Sequence, residues 1–198
     1  ANPDLPCLED PFPRIQSRSW AIPGRLGTPR LVNLALMSAR IATGPGSSNV
    51  ATGIPVLDHL LGLLARAGGF ELGLELPPGD AEAEVDDAGR ALGESFAALL
   101  RAGGAPGHAS AFLPADEALA QIALEASERP SVHSNVDLTE AHAGGLGSDL
   151  AARFLDAFAE SAGVTLHVRL VHGEDSQHVL EAIFKALGAA LAQASHPR

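Results

Sequence analysis

Two helix-forming stretches gather most of the side chains in this chain that could do chemistry. The first, Val85 to Gly93, is preceded by Glu82 and Glu84 and carries Asp86 and Asp87; the second, Gln177 to Leu187, carries His178, Glu181 and Lys185. His59 stands upstream of both, directly after Asp58, and Arg129 lies between them. Imidazoles and carboxylates hold divalent metals such as Mn²⁺ and move protons in acid–base catalysis. Arginine and lysine suit a phosphate dianion. Plainer readings stand beside these. Glu82, Glu84, Asp86 and Asp87 can be a solvated acidic face, His59 a helix-start hydrogen bonder, and Arg129 and Lys185 exposed charges or ion pairs. His133, His142, His167, His172 and His196 show no ligand spacing. No P-loop, dinucleotide glycine fingerprint, nucleophile elbow or cysteine-based zinc pattern is present.

Composition bounds what could position these groups. A length of 198 residues suffices for one or two compact units with a full core. Aromatics make up 4% and Tyr is absent, so Leu, Ala, Val and Ile must build that core. A formal charge of −11 argues against a nucleic-acid partner and against an anionic membrane surface. The single cysteine, Cys7, has no internal disulfide partner, which fits a reducing compartment. No apolar run approaches the roughly 20 residues of a membrane span, and the first residues lack the pattern of a signal peptide. A cytoplasmic protein is the expectation.

Residues 1–24 carry Pro3, Pro6, Pro11, Pro13 and Pro23 and read as an extended arm. From there the pattern predicts a strand over 31–36, a turn over 43–49, an amphipathic helix over 56–67, an alternating strand over 70–76 and a helix over 84–101. A Gly- and Pro-rich break at 103–107 separates a second series. That series has strands over 110–113 and 119–124 with a turn at 114–116, a loop over 130–147, a helix over 149–162, a strand over 164–170 and a helix over 177–194. Ala67-Gly68-Gly69-Phe70-Glu71-Leu72 lines up with Ser161-Ala162-Gly163-Val164-Thr165-Leu166, and Ala91-Leu92-Gly93 with Ala186-Leu187-Gly188. The two matches are offset by 94 and 95 residues, the mark of an internal duplication. The expected fold is α+β: two strand–strand–helix–strand–helix halves, 25–104 and 105–198, forming one compact pseudo-dimer with helices on one face of the sheet.

Five ordered motifs carry a resemblance. Thr52-Gly53-Ile54-Pro55-Val56-Leu57-Asp58-His59, Asp116-Glu117-Ala118-Leu119, Ser127-Glu128-Arg129-Pro130, Thr165-Leu166-His167-Val168-Arg169 and Glu181-Ala182-Ile183-Phe184-Lys185-Ala186 resemble segments of the imidazoleglycerol-phosphate dehydratases. The resemblance spans about residues 25–195. It implies a manganese-dependent lyase of histidine biosynthesis, a duplicated α+β half, and trimers that join into a 24-mer with metal sites between subunits.

The same resemblance marks departures at the metal positions. Its two His-His-x-x-Glu stretches fall on Glu82, Ala83 and Asp86 and on Gln177, His178 and Glu181, and the histidine of its third helix falls on Arg153. Ala83 has no donor atom, and a cation at Arg153 repels Mn²⁺. The surviving metal-competent residues are His59, Asp86, His178 and Glu181, so the expectation is no cofactor or a single Mn²⁺. The family's early catalytic acid falls on Pro29, which cannot be a base. That leaves Glu82, Asp86 and Glu181 as catalytic candidates. Arg129 and Lys185 take the phosphate-binding positions, and a third family arginine falls on Gly107. Two functions follow as expectations: a structural or binding paralogue that has lost the two-manganese dehydration, or a lyase with a rebuilt carboxylate-rich site of Glu82, Asp86, His59, His178 and Glu181. Expected partners are copies of the chain, a phosphorylated small molecule and an active relative. Lost ligands weaken the assembly unless Arg153 pairs with Glu82 or Asp86.

Overall fold

A computed structural model describes residues 38–76, 79–101, 104–136 and 148–196. The expected arm over 1–24, the strand over 31–36, Pro29 and most of the 130–147 loop lie outside these residues.

The first half runs β1 (Ser38–Thr43), β2 (Ser48–Ala51), α1 (Pro55–Gly68), β3 (Phe70–Glu75) and α2 (Ala81–Leu100). The second runs β4 (His108–Ala115), β5 (Ala118–Ala126), β6 (Ser131–Ser134), α3 (Ser148–Ala162), β7 (Val164–His172) and α4 (Ser176–Ser195). Each half builds its own mixed sheet, ordered β1-β3-β2 and β4-β5-β7-β6. In the first, β1 is antiparallel and β2 parallel to β3; in the second, β5 is antiparallel and β6 parallel to β7. The series β1-β2-α1-β3-α2 therefore repeats as β5-β6-α3-β7-α4, with β4 added at the front. This is the duplicated α+β fold expected from sequence.

Alternation sets the strands against the core. In β3, Phe70, Leu72 and Leu74 are buried while Glu71 and Glu75 face out. Each helix packs on the sheet of its own half and also meets a helix of the other half, α1 against α4 and α2 against α3. The aligned glycines explain the repeat physically. Gly69 and Gly163 have φ of 64° and 70°, the left-handed geometry that stops α1 and α3 and turns the chain into β3 and β7. A methyl at Gly93 would lie 2.6 Å from the Phe158 carbonyl oxygen, and one at Gly188 would collide with the Leu64 carbonyl. Each glycine lets two helix backbones touch.

Five of the seven phenylalanines link the halves. Phe70, Phe96, Phe158, Phe154 and Phe184 follow one another at centroid separations of 5.0, 5.8, 6.2 and 5.3 Å, all fully buried.

The fold departs from the sequence expectations at short strands and at element limits. Ser131–Ser134 form β6 inside the expected loop, because β7 offers a free parallel edge that no local pattern reveals. The expected turn over 43–49 is narrower, since β1 runs through Thr43 and β2 begins at Ser48. The turn expected at 114–116 moves to Asp116 and Glu117. Pro114 and Ala115 still pair with Leu119 and Ala118, and Asp116 takes a φ of 47°. β4 is an edge strand, where a proline is tolerated. Helix α2 starts at Ala81 because Asp80 caps it, accepting from the Ala83 amide at 3.0 Å.

Candidate functional site

The Thr52–His59 segment builds a helix start that presents a histidine. Pro55 opens α1, and Asp58 in the first turn accepts from the Thr52 amide at 2.9 Å and the Thr52 hydroxyl at 2.6 Å. His59 follows, half exposed, with Nε2 3.3 Å from Glu181 Oε1 on α4. Gln177, one turn before Glu181, donates to the same oxygen at 3.0 Å. Burial pushes the Glu181 carboxyl up, but the hydrogen bonds from Gln177 and His59 and the charges of His59 and Lys185 outweigh it and hold it below its ordinary value. An ionised carboxylate thus joins α1 of one half to α4 of the other.

A matching constellation ties α2 to α3. Arg153 Nε and Nη2 donate to the two carboxylate oxygens of Asp86 at 3.1 and 2.6 Å, and Nη1 donates to Glu82 at 3.2 Å. The two arrangements mirror the duplication in part: His59 near the start of α1 reaches Glu181 alone of the Gln177/Glu181 pair on α4, while Arg153 near the start of α3 reaches both Glu82 and Asp86 on α2. Asp156 lies one turn beyond Arg153. Burial, then the charges of Asp86 and Glu160, raises its carboxyl above the ordinary value. Arg153 thus pairs with both acids inside one chain; the sequence reading named such a pair only as the condition for keeping the contacts between subunits.

His178 faces elsewhere. Its Nδ1 lies 2.6 Å from Glu117 Oε2 in the β4–β5 turn, and Nε2 lies 3.4 Å from Asp116. The Glu117 bond is the main cause that raises the His178 imidazole above its ordinary value. Glu117 Oε1 accepts from the amides of Asp175 at 3.0 Å and Glu174 at 3.4 Å, where α4 begins. The Asp175 amide first and His178 second pull the Glu117 carboxyl down to about 2. Sequence reasoning did not single out Glu117. Its motif marks the segment, but nothing local shows the carboxylate reaching residues 174–178.

Within one chain, then, His59, Asp86, His178 and Glu181 fall into three separate places: His59 with Glu181, Asp86 with Glu82 and Arg153, and His178 with Glu117. Among the described residues no three His, Cys, Asp or Glu side chains gather closely enough to hold a metal. The phosphate candidates are also apart. Lys185 Nζ lies 3.5 Å from the Pro114 carbonyl, opposite Leu119. Exposed Arg129 is anchored at the other end of β5, its carbonyl accepting from Thr165, which pairs with Glu125. Six strand residues, about 20 Å, separate these anchors, a gap longer than an arginine side chain.

The sequence profile of the imidazoleglycerol-phosphate dehydratase family matches residues 52–191. The chain belongs to that family. Curated relatives named imidazoleglycerol-phosphate dehydratase include one from Clostridium botulinum (strain Kyoto / Type A2), 40% identical over 76% of this chain and 79% of its own length. Another, from Azoarcus sp. (strain BH72), is 41% identical over 77% and 80%. The crystal structure of the dehydratase from Staphylococcus aureus superposes with a TM-score of 0.75 at 28% identity, covering 82% of this chain and 94% of that one. The Pyrococcus furiosus enzyme in complex with (S)-C348 gives 0.73 at 25% identity, covering 82% and 89%.

The donor chemistry at α2–α3 does not fit the manganese that the family implies. Ala83 offers no ligand atom, and a guanidinium occupies both oxygens of Asp86. At α1–α4, His59 and Glu181 are suitable donor types, while the amide of Gln177 is a poor one.

Proposed function

We propose that this imidazoleglycerol-phosphate dehydratase-family chain has lost the two-manganese dehydration and acts as a structural or binding paralogue in the histidine-biosynthesis lineage. The observation carrying this reading is the fork of Arg153 on Asp86, with its third bond to Glu82, where the family pattern calls for metal ligands. A permanent cation there opposes a second one. Arg129 and Lys185 remain suited to a phosphorylated small molecule. Their backbone anchors lie about 20 Å apart along β5, so one phosphate gripped by both would bridge two copies, and we take the assembly to be at least a trimer. A cytoplasmic location accords with histidine biosynthesis, and no helix among the described residues is long and apolar enough to cross a membrane.

The comparisons favour a second reading more than the first: a working metal-dependent lyase with a rebuilt carboxylate-rich site. The relatives at 40–41% identity carry the dehydratase name, and His59 and Glu181 still meet. One experiment separates the two. The purified protein is loaded with Mn²⁺, stripped of excess, analysed for bound metal and assayed for dehydration of imidazole glycerol phosphate. No retained metal and no turnover is the expected result. Turnover lost on His59→Ala establishes the lyase instead.

A further inference from the structure

The α2–α3 half-site is a finished structure of its own. Three N–H groups of Arg153 are spent on three carboxylate oxygens, both acids lie in the other half of the chain 67 and 71 residues away, and the two acids sit one turn apart on α2. The helices beneath are already pressed together, since a methyl at Gly89 would meet the Phe154 carbonyl oxygen at 2.6 Å and one at Gly93 the Phe158 carbonyl oxygen at 2.6 Å. Arg153 therefore reaches Asp86 across a fixed, short gap. Its fork matches a carboxylate in two-point geometry, and guanidinium keeps its proton at any working pH. At the equivalent α1–α4 place, among the described residues, an imidazole and an amide bond Glu181, and the Lys185 charge acts on it without a hydrogen bond.

We infer that the Arg153 guanidinium is a built-in substitute for a bound divalent ion at α2–α3: it clamps Glu82 and Asp86, ties the two halves together without metal, and closes this half-site to metal uptake. The inference rests on the reading that the α2–α3 ligands are lost, and not on whether the protein turns substrate over. A divalent ion entering here must displace the guanidinium from Asp86 and then face its charge at close range, so Arg153 and the metal are mutually exclusive occupants.

The test is thermal unfolding of the full chain carrying His59→Ala, which removes the α1–α4 imidazole from the readout, in EDTA and in excess Mn²⁺. The expected result is the same Tm in both. Adding Arg153→Met to this background should lower Tm in EDTA by roughly 3–6 °C, the shift for losing a part-buried bidentate pair in a chain of this size. A higher Tm of the parent in Mn²⁺ overturns the inference, because the half-site then takes metal despite Arg153. An Arg153→Met Tm equal to the parent's also overturns it, because the guanidinium then ties nothing. Where Arg153→Met does not fold, Arg153→Lys, which keeps the charge and loses the fork, serves in the same comparison. Dehydratase activity in the unsubstituted protein would sink the proposed function; this inference stands or falls separately, on the Tm of the His59→Ala protein in Mn²⁺.

Discussion

At the scale of single residues, the Glu117 carboxylate links the β4–β5 turn to the start of α4 through the amides of Asp175 and Glu174 and the ring of His178. Its carboxyl lies at about 2, below the ordinary 4.5, so its contribution to stability is present above 4.5 and lost as pH falls through about 2. His178 is shifted upward from 6.5, so its contribution is present below 6.5 and lost as pH rises through its folded value. Replacing Glu117 with Gln should bring the His178 titration, followed by NMR, back towards 6.5. Asp156 has the opposite sign for an acid. Its raised carboxyl favours the folded state below 3.8, and that benefit is lost as pH rises above it. Asp156→Asn should therefore raise Tm at neutral pH, with the gain shrinking towards pH 3.8. A gain independent of pH would show that charge is not the cause. That Arg153 meets Asp86 was settled by the packing of α3 against α2, while the residue types able to do chemistry were legible in the sequence. The turning of His178 towards Glu117 was not, because it depends on where the β4–β5 turn stands relative to α4.

Among the elements, close helix packing is the most exposed to substitution. Gly188→Ala drives a methyl into the Leu64 backbone, which cannot swing away as a side chain would. We expect a loss of about 1–3 kcal/mol in denaturant unfolding. An unchanged midpoint would mean that α1 and α4 can slide apart at no cost. The four helices and the strands β3 and β7 were legible in sequence, since their periodicity runs for many residues and glycines mark where α1 and α3 end. β1, β2 and β6 were not. They span six, four and four residues, carry mixed polarity, and exist because β3 and β7 present edges for them to pair with.

For the whole molecule, the aromatic series from Phe70 to Phe184 runs through the core shared by the two halves. Phe158→Ala, which breaks the link between Phe96 and Phe154, should cost about 3–5 kcal/mol. Loss in one cooperative transition is expected, and two separate transitions would show halves that fold independently. Light scattering should give a mass of at least a trimer, and a monomer would contradict the placing of one phosphate between Arg129 and Lys185 of different copies. The sequence by itself determined the family, the duplication and which residue types able to do chemistry stand in the motifs, because these are written in ordered motifs and repeated glycines. Tertiary structure decided which of those residues meet. His59 reaches Glu181 and Arg153 reaches Asp86 across 122 and 67 residues because the first helix of each half packs on the second helix of the other, and that crossing is a property of packed surfaces with no signal in local pattern.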